Sequence, residues 1–394
     1  MMGNESDFRA QERCAKLTQI LHQEITSCGG SIPFWRFMEH ALYTPELGYY
    51  CTETPKFGSL GDFVTAPEMG ILFARTMAKA IAPLVTQLGP HADIVEIGAG
   101  SGKFACDVLL ALDALQVRFA HYTIIERSVY LQKQQRLLLA ERLPSALNDR
   151  IRWKESSDHE VWDGVLIANE VIDALPASRF CIHDETIFEQ HVMLDSAKNF
   201  IFTQQPATQK LVSVVEHICS ELKHPLPPHY QSECLPELPI WIQTITKNLA
   251  KGVLIFIDYG YPRSEYYHPE RCNGTLRAFY KHQLYHDVLQ LPGMQDITAS
   301  VDLTALAEAA TGAGFILEGY CTLALFLLEH GIMQCYEQAL ATTATDTGNA
   351  LELQAQMKQL LLPTHMGECF QVIGFSRGIS AEGFFRESNL SWRL

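Results

Sequence analysis

No run of about 20 uninterrupted apolar residues occurs in the 394-residue chain, so no transmembrane helix is expected. Paired cysteines are missing as well. The eleven cysteines are odd in number and none stands in a CxxC pair. That argues against a secreted disulfide framework and a cysteine-based zinc site, and fits a reducing compartment. The histidines form neither HxH nor HExxH, so no metal set is indicated. Basic residues are scarce: 30 Lys and Arg against 45 Asp and Glu leave a formal charge of −15. A balance of that sign argues against general nucleic-acid binding, which needs cations to neutralise phosphates. It fits a cationic partner such as a basic peptide, although solubility alone would also account for it. Repeats and low-complexity tracts are absent. The N-terminus, MMGNESD, carries acids early and reads as neither a secretory signal nor a transit peptide. The expected location is a bacterial cytoplasm, or the mitochondrial matrix for a processed eukaryotic form.

What is present is a globular composition, 47% hydrophobic and 19% charged, long enough for one elaborated domain or two. Helical spacing of Leu17, Ile20, Leu21 and Ile25 predicts a helix over 8–28, stopped at Gly29 and Gly30. A second helix is expected through about Tyr43, with Ser31 as cap and Pro33 in its first turn. Residues 44–67 are rich in loop formers. From residue 93 short apolar runs alternate with helical stretches: DIVEI at 93–97, YTII at 122–125, IRWK at 151–154, GVLIA at 164–168 and VLIFID at 253–258. Such alternation means a parallel sheet with crossovers, an α/β fold. Residues 179–205 alternate in polarity like an inserted antiparallel meander. Two helices around the breaker PLPP at 225–228 should follow, the second ending near residues 251–252. A further helix is expected over 301–313 and strands over 315–323 and 368–376. The expected organisation is a helical N-terminal cap and loop region (1–90), the first part of a Rossmann-like core (91–180), an inserted hairpin and helical segment (181–251), and the second part of the core (252–394) with an insertion at about 260–300.

VEIGAGSG at 95–102 falls between a strand and a helix. Glycines there let backbone and ligand approach closely, and the helix N-terminus offers free N–H groups. The dinucleotide spacing GxGxxG would need a glycine where Lys103 stands. The spacing is GxGxG after the acid Glu96, which resembles the first motif of class I S-adenosylmethionine methyltransferases. Glu126 ends the next strand and can accept both ribose hydroxyls, as it would in an NAD site too. Candidate cofactor residues are therefore Glu96, Gly98, Gly100, Ser101, Gly102, Glu126 and Asn169. Ligands of open α/β sheets lie beyond the strand C-termini. That places Asn169, Glu170 and Asp173 at donor or acceptor, with a helix cap as the competing reading of Asp173. Tyr259 stands at the end of the fifth strand. The stretch with Glu265, Tyr266, Tyr267, His268, Arg271, Arg277, His282, His286 and Asp296 reads as a substrate-facing lid or as a loop packed on its own aromatics.

Eleven segments together resemble the MidA family, methyltransferases that act as assembly factors for mitochondrial complex I and have many bacterial relatives. They are IPFWRFME at 32–39, YTPELGYY at 43–50, GDFVTAPE at 61–68, EIGAGSG at 96–102, NEVIDALP at 169–176, IDYGYP at 257–262 with YYHP at 266–269, GTLR at 274–277, PGMQDIT at 292–298, VDLT at 301–304 and MGE at 366–368. The resemblance implies a class I methyltransferase core with a helical cap and an inserted subdomain. It also implies symmetric dimethylation of an arginine in a complex I core subunit, the protein partner expected of the mitochondrial members. Two features differ from the family pattern: the N-terminal residues are not expected to form a mitochondrial presequence, and Gln371 follows Phe370, where Lys is usual. For an arginine acceptor, carboxylates can grip the guanidinium and take its proton. Glu170 and Asp173 are the first candidates and Asp62 and Glu68 the next, with Tyr259 or Phe63 walling the slot. A non-catalytic assembly chaperone and a small-molecule methyltransferase are the competing functions. Oligomeric state cannot be read from the sequence.

Overall fold

The computed structural model describes residues 2–53, 56, 66–154, 160–184, 186–281, 283–285, 287–342 and 347–394. The chain forms two compact units. Unit 1 comprises residues 1–63, 172–238 and 261–304; unit 2 comprises 64–171, 239–260 and 305–394.

Unit 2 holds the α/β core. Its strands are β1 (Asp93–Ile97), β2 (Tyr122–Ile125), β3 (Ile151–Lys154), β4 (Trp162–Asn169), β5 (Leu249–Tyr261), β6 (Ile316–Thr322) and β7 (Phe370–Arg377). They lie in the order β3-β2-β1-β4-β5-β7-β6. Pairings from β3 to β5 are parallel, and β7 runs antiparallel to both β5 and β6. The central strands bury residues on both faces, as the uninterrupted apolar runs require. Strand order reverses between β1 and β4, which opens a crevice at their C-terminal ends. Helix Ile71–Leu88 is apolar and long enough to cross a membrane by composition. Ten of its eighteen residues, among them Phe73, Met77, Ile81 and Val85, are buried in the unit 2 core. Its Phe73 ring lies 5.4 Å from that of Phe104 on helix Lys103–Ala114. It is the core helix of a globular unit.

Unit 1 is largely antiparallel. Strand Thr186–Leu194 pairs along its length with Phe200–Pro206. Its other edge is shared by Ser178–His183 and Ser31–Pro33, and Gln231–Cys234 extends the sheet beyond Ser178–His183. A smaller sheet centres Arg277–Tyr280 between Gln283–Tyr285 and Asp296–Thr298. Helices Met2–Ser27 and Phe34–Tyr43 close a core of Leu17, Leu21, Ile25, Phe34, Phe37 and Leu42.

Three local expectations change. Ser31 does not cap a helix: residues 31–33 pair as an edge strand and Phe34 begins the helix. Buried Ile32 and the missing N–H of Pro33 suit that edge. Gln231–Cys234 is a strand that its polar sequence concealed. The following helix ends at Thr246 rather than near 251, because the Arg377 guanidinium takes the carbonyls of Thr246 (3.1 Å) and Leu249 and lets β5 begin early.

Candidate functional site

At the C-terminal end of β1 the turn 98–102 carries three residues with positive φ: Gly98 at 69°, Gly100 at 52° and Gly102 at 84°. Only glycine takes up three such angles in five residues without strain. The turn is held to the sheet by Gly98 N donating to Ile125 O (3.0 Å), and it closes with Gly102 N to Ala99 O (2.8 Å). A Cβ on Gly98 would lie 3.0 Å from Val171 Cγ2, so a side chain there would narrow the crevice. Ser101 Oγ donates to Glu68 Oε1 and accepts from Lys103 N (3.2 Å). Lys103 Nζ in turn donates to Pro67 O (3.0 Å). The APEM helix, Ala66–Met69, is thus fastened to the glycine turn.

Two acids flank the turn. Glu96 is buried in β1, and the Tyr122 phenol donates to its Oε2 (2.8 Å). Burial pushes its carboxyl from 4.5 up to about 8, against the pull of the Tyr122 bond and with the Glu126 charge adding to the rise. Glu126, past the end of β2, accepts from Ser128 N at Oε1 (2.9 Å) and from Gln135 Nε2 at Oε2 (3.2 Å). Burial raises its carboxyl too, and those two bonds oppose the rise. Each oxygen keeps a lone pair for a hydroxyl. Past the end of β4, Asn169 Nδ2 donates to Glu170 Oε1 (3.2 Å). Asn169 Oδ1 is buried and takes no hydrogen bond. Glu170 sits at φ 53°, a left-handed backbone rare outside glycine, and its N–H is held by Ile257 O (2.8 Å). Tyr259, in β5, sets its ring edge-on to Phe370 (5.6 Å).

Glu96, the glycine turn, Glu126, Asn169, Glu170 and Glu68 therefore gather in unit 2 around the strand ends. Asp62 and Phe63 lie outside the described residues, as do His282 and His286. Asp173 belongs to unit 1, where it is buried and its carbonyl accepts from Ala299 N (2.9 Å). Tyr43 hydrogen-bonds the neighbouring Ala174 O (2.9 Å) and stacks on Tyr50, with centroids 5.6 Å apart and planes at 22°. Tyr50 donates to the buried Asp296 at Oδ1 (2.8 Å). Burial, then the charges of Asp296 and Asp173, push the Tyr50 phenol well up. Lys56, over the Tyr49 ring at 5.3 Å, donates to Thr52 O (2.8 Å).

Sequence reasoning missed Gln135. Its only signal is a fully buried amide between Leu131 and Leu139 on one helix stripe.

A left-handed glycine turn, an orphaned amide oxygen and two buried acids, one beside each end of that turn's strand pair, fit an aminoacyl group joined to a ribonucleoside. The comparisons agree. A family model of S-adenosyl-L-methionine-dependent methyltransferases matches residues 76–321. The chain is 27% identical over 403 residues to the mitochondrial protein arginine methyltransferase NDUFAF7 homolog of Drosophila melanogaster, covering 96% of this chain and 88% of that one. It is 27% identical over 367 residues to NDUFAF7 of Rattus norvegicus, covering 86% and 80%. A crystal structure from Burkholderia thailandensis bound to S-adenosyl-homocysteine shares 36% identity over 98% of both chains, with a TM-score of 0.90. The cofactor is S-adenosylmethionine.

Proposed function

Because the chain belongs to the MidA family of S-adenosylmethionine-dependent methyltransferases, we propose that its acceptor is an arginine side chain of a protein, carried to the symmetric dimethyl form. The observation that carries this reading is the pair of buried carboxylates in unit 1, Asp173 and Asp296, both acting on Tyr50 beside the stacked Tyr43. Buried acids with aromatic faces suit a planar cation. The relatives named as arginine methyltransferases support the same class, and a complex I core subunit is the first target to examine.

Bound S-adenosylmethionine supplies a methyl group on a sulfonium, which departs as a neutral thioether when the S–C bond breaks. In unit 2, Glu96 takes the ammonium of the methionine part. Gly98, Gly100, Ser101 and Gly102 make room for that part, Glu126 accepts from the ribose, and Asn169 offers its free oxygen. A guanidinium is charged at ordinary pH and poorly nucleophilic. Carboxylates that bind its N–H groups hold the charge away from the attacking nitrogen. As the N–C bond forms, the nitrogen gives its proton to a carboxylate, for which Glu170 in unit 2 is the first candidate. Glu68, engaged by Ser101, steadies the glycine turn, while Asp62 is the further acid of that segment. In unit 2, Tyr259, edge-on to Phe370, is the aromatic wall for the acceptor.

The test uses methyl-labelled cofactor and extract of cells from which the gene is deleted. Label should appear in symmetric dimethylarginine, and not with Gly100→Asp protein. Glu170→Gln should lose about 100-fold or more in turnover while binding S-adenosyl-homocysteine as before. Full activity removes Glu170 from the mechanism. Label confined to small metabolites would replace the protein acceptor. No label, in an extract where a known methyltransferase works, would favour an assembly chaperone.

A further inference from the structure

Gln135 lies in the middle of helix Val129–Arg142 and is fully buried. Its Oε1 accepts from Trp153 Nε1 (3.0 Å). An indole N–H can only donate, so the amide oxygen must face Trp153 and the amide nitrogen must face the other way. On that side both N–H groups are used: Nε2 donates to Gly100 O (3.0 Å) and to Glu126 Oε2 (3.2 Å). One amide therefore ties the middle of the glycine turn to the carboxylate past the next strand, and the indole fixes which way it points. The Arg136 guanidinium covers the Trp153 ring at 3.9 Å and holds it in place. Gly102 approaches the same residue so closely that a Cβ would stand 3.2 Å from Gln135 Cα.

We propose that Gln135 is a positioning residue for the cofactor, setting the methionine-side turn and the ribose carboxylate relative to each other before the cofactor arrives. The inference rests on the cofactor identity alone and is independent of the acceptor. Preorganised donors spare the cost of ordering the site on binding. Truncating this amide leaves the half-buried Gly100 carbonyl and the buried Glu126 carboxylate each short of a donor, so the penalty falls on the two groups that shape the cradle.

The experiment measures S-adenosyl-homocysteine affinity by calorimetry on the full chain, as a function of pH, for wild type, Gln135→Met and Trp153→Phe. Methionine keeps the volume and removes the donors. Affinity should fall roughly 10- to 100-fold for Gln135→Met, the range for hydrogen bonds to charged groups. The loss should be smaller for Trp153→Phe, which keeps the donors and frees the amide to turn. The midpoint of the pH dependence should also move upward, because Glu126 loses a bond that favours its charged form. The charges felt by Glu126 are those of Glu96 and Arg127, which all three proteins retain, so the shift is read as a difference. A purely structural role would lower the melting temperature without moving that midpoint. Folded Gln135→Met with unchanged affinity and midpoint overturns the proposal. If that variant does not fold, Trp153→Phe decides: a weakened, pH-shifted profile upholds it and a wild-type profile overturns it.

Discussion

Glu96 carries a stored electrostatic cost. A carboxyl that titrates at 4.5 when exposed and at about 8 in the fold keeps its proton over most of the neutral range. Between those values the folded chain binds more protons than the unfolded one. The stability contributed by protonated Glu96 is complete below its unfolded value and is lost as pH rises through about 8. The ligand-free protein should therefore melt progressively lower from about pH 5 to about pH 8.5, and Glu96→Gln should flatten that slope. Glu96 was assigned above to the cofactor's ammonium, which would stabilise the charged form and expel the proton. Near neutral pH the heat of S-adenosyl-homocysteine binding should then vary with the ionisation enthalpy of the buffer. The variant should show no such dependence. Equal buffer dependence in both proteins would separate the proton from Glu96. The acids themselves were legible in the sequence, because an acid two residues before a glycine turn and another at the next strand end are local patterns. Gln135 was not, since its partners Gly100, Glu126 and Trp153 lie 35, 9 and 18 residues away.

The glycine turn and helix Val129–Arg142 form a mechanical pair. At Gly102 two demands coincide: a φ of 84° and a neighbour, Gln135, whose Cα would stand 3.2 Å from an added Cβ and would have to give way by a few tenths of an ångström. Gly29 has nearly the same angle, 83°, with nothing within 4 Å. Comparing Gly102→Ala with Gly29→Ala separates the two demands. Gly29→Ala should cost only the conformational part, about 1 kcal/mol. Gly102→Ala should cost about 1–3 kcal/mol more and weaken S-adenosyl-homocysteine more than tenfold. Equal denaturation midpoints for the two variants would show that crowding against Gln135 contributes nothing. At this scale the strands β1, β2, β4 and β5 were readable because both their faces are buried, which leaves an unbroken apolar run. Gln231–Cys234 was not, because its sequence is polar and its pairing with Ser178–His183 spans about fifty residues. Ser31–Pro33 was misread for a related reason: its partners, 191–193, are distant, and a serine before a proline is a good helix start when only neighbours are considered.

Across the whole molecule the chain passes between its two units five times, at 63/64, 171/172, 238/239, 260/261 and 304/305. Three of those passages fall inside GDFVTAPE, NEVIDALP and IDYGYP, the segments that carry much of the family resemblance. Contiguous boundaries drawn along the sequence do not anticipate such interleaving, since each unit's sheet draws on separate stretches. The charge of −15 also belongs to the molecule as a whole. Its field would raise the encounter rate with an arginine-bearing basic peptide, and salt would screen it over a length of roughly 10 Å at about 0.1 M. For such a peptide kcat/KM should fall several-fold between about 0.02 M and about 0.5 M salt, mostly through KM. An acidic peptide containing the same arginine should change in the opposite direction. S-adenosyl-homocysteine affinity, set by buried groups such as Glu96 and Glu126, should change little. Steady-state rates across a salt series with both peptides would decide. A flat profile for the basic peptide would mean that the acidic surface serves solubility alone, and that acceptor recognition rests on the local carboxylates.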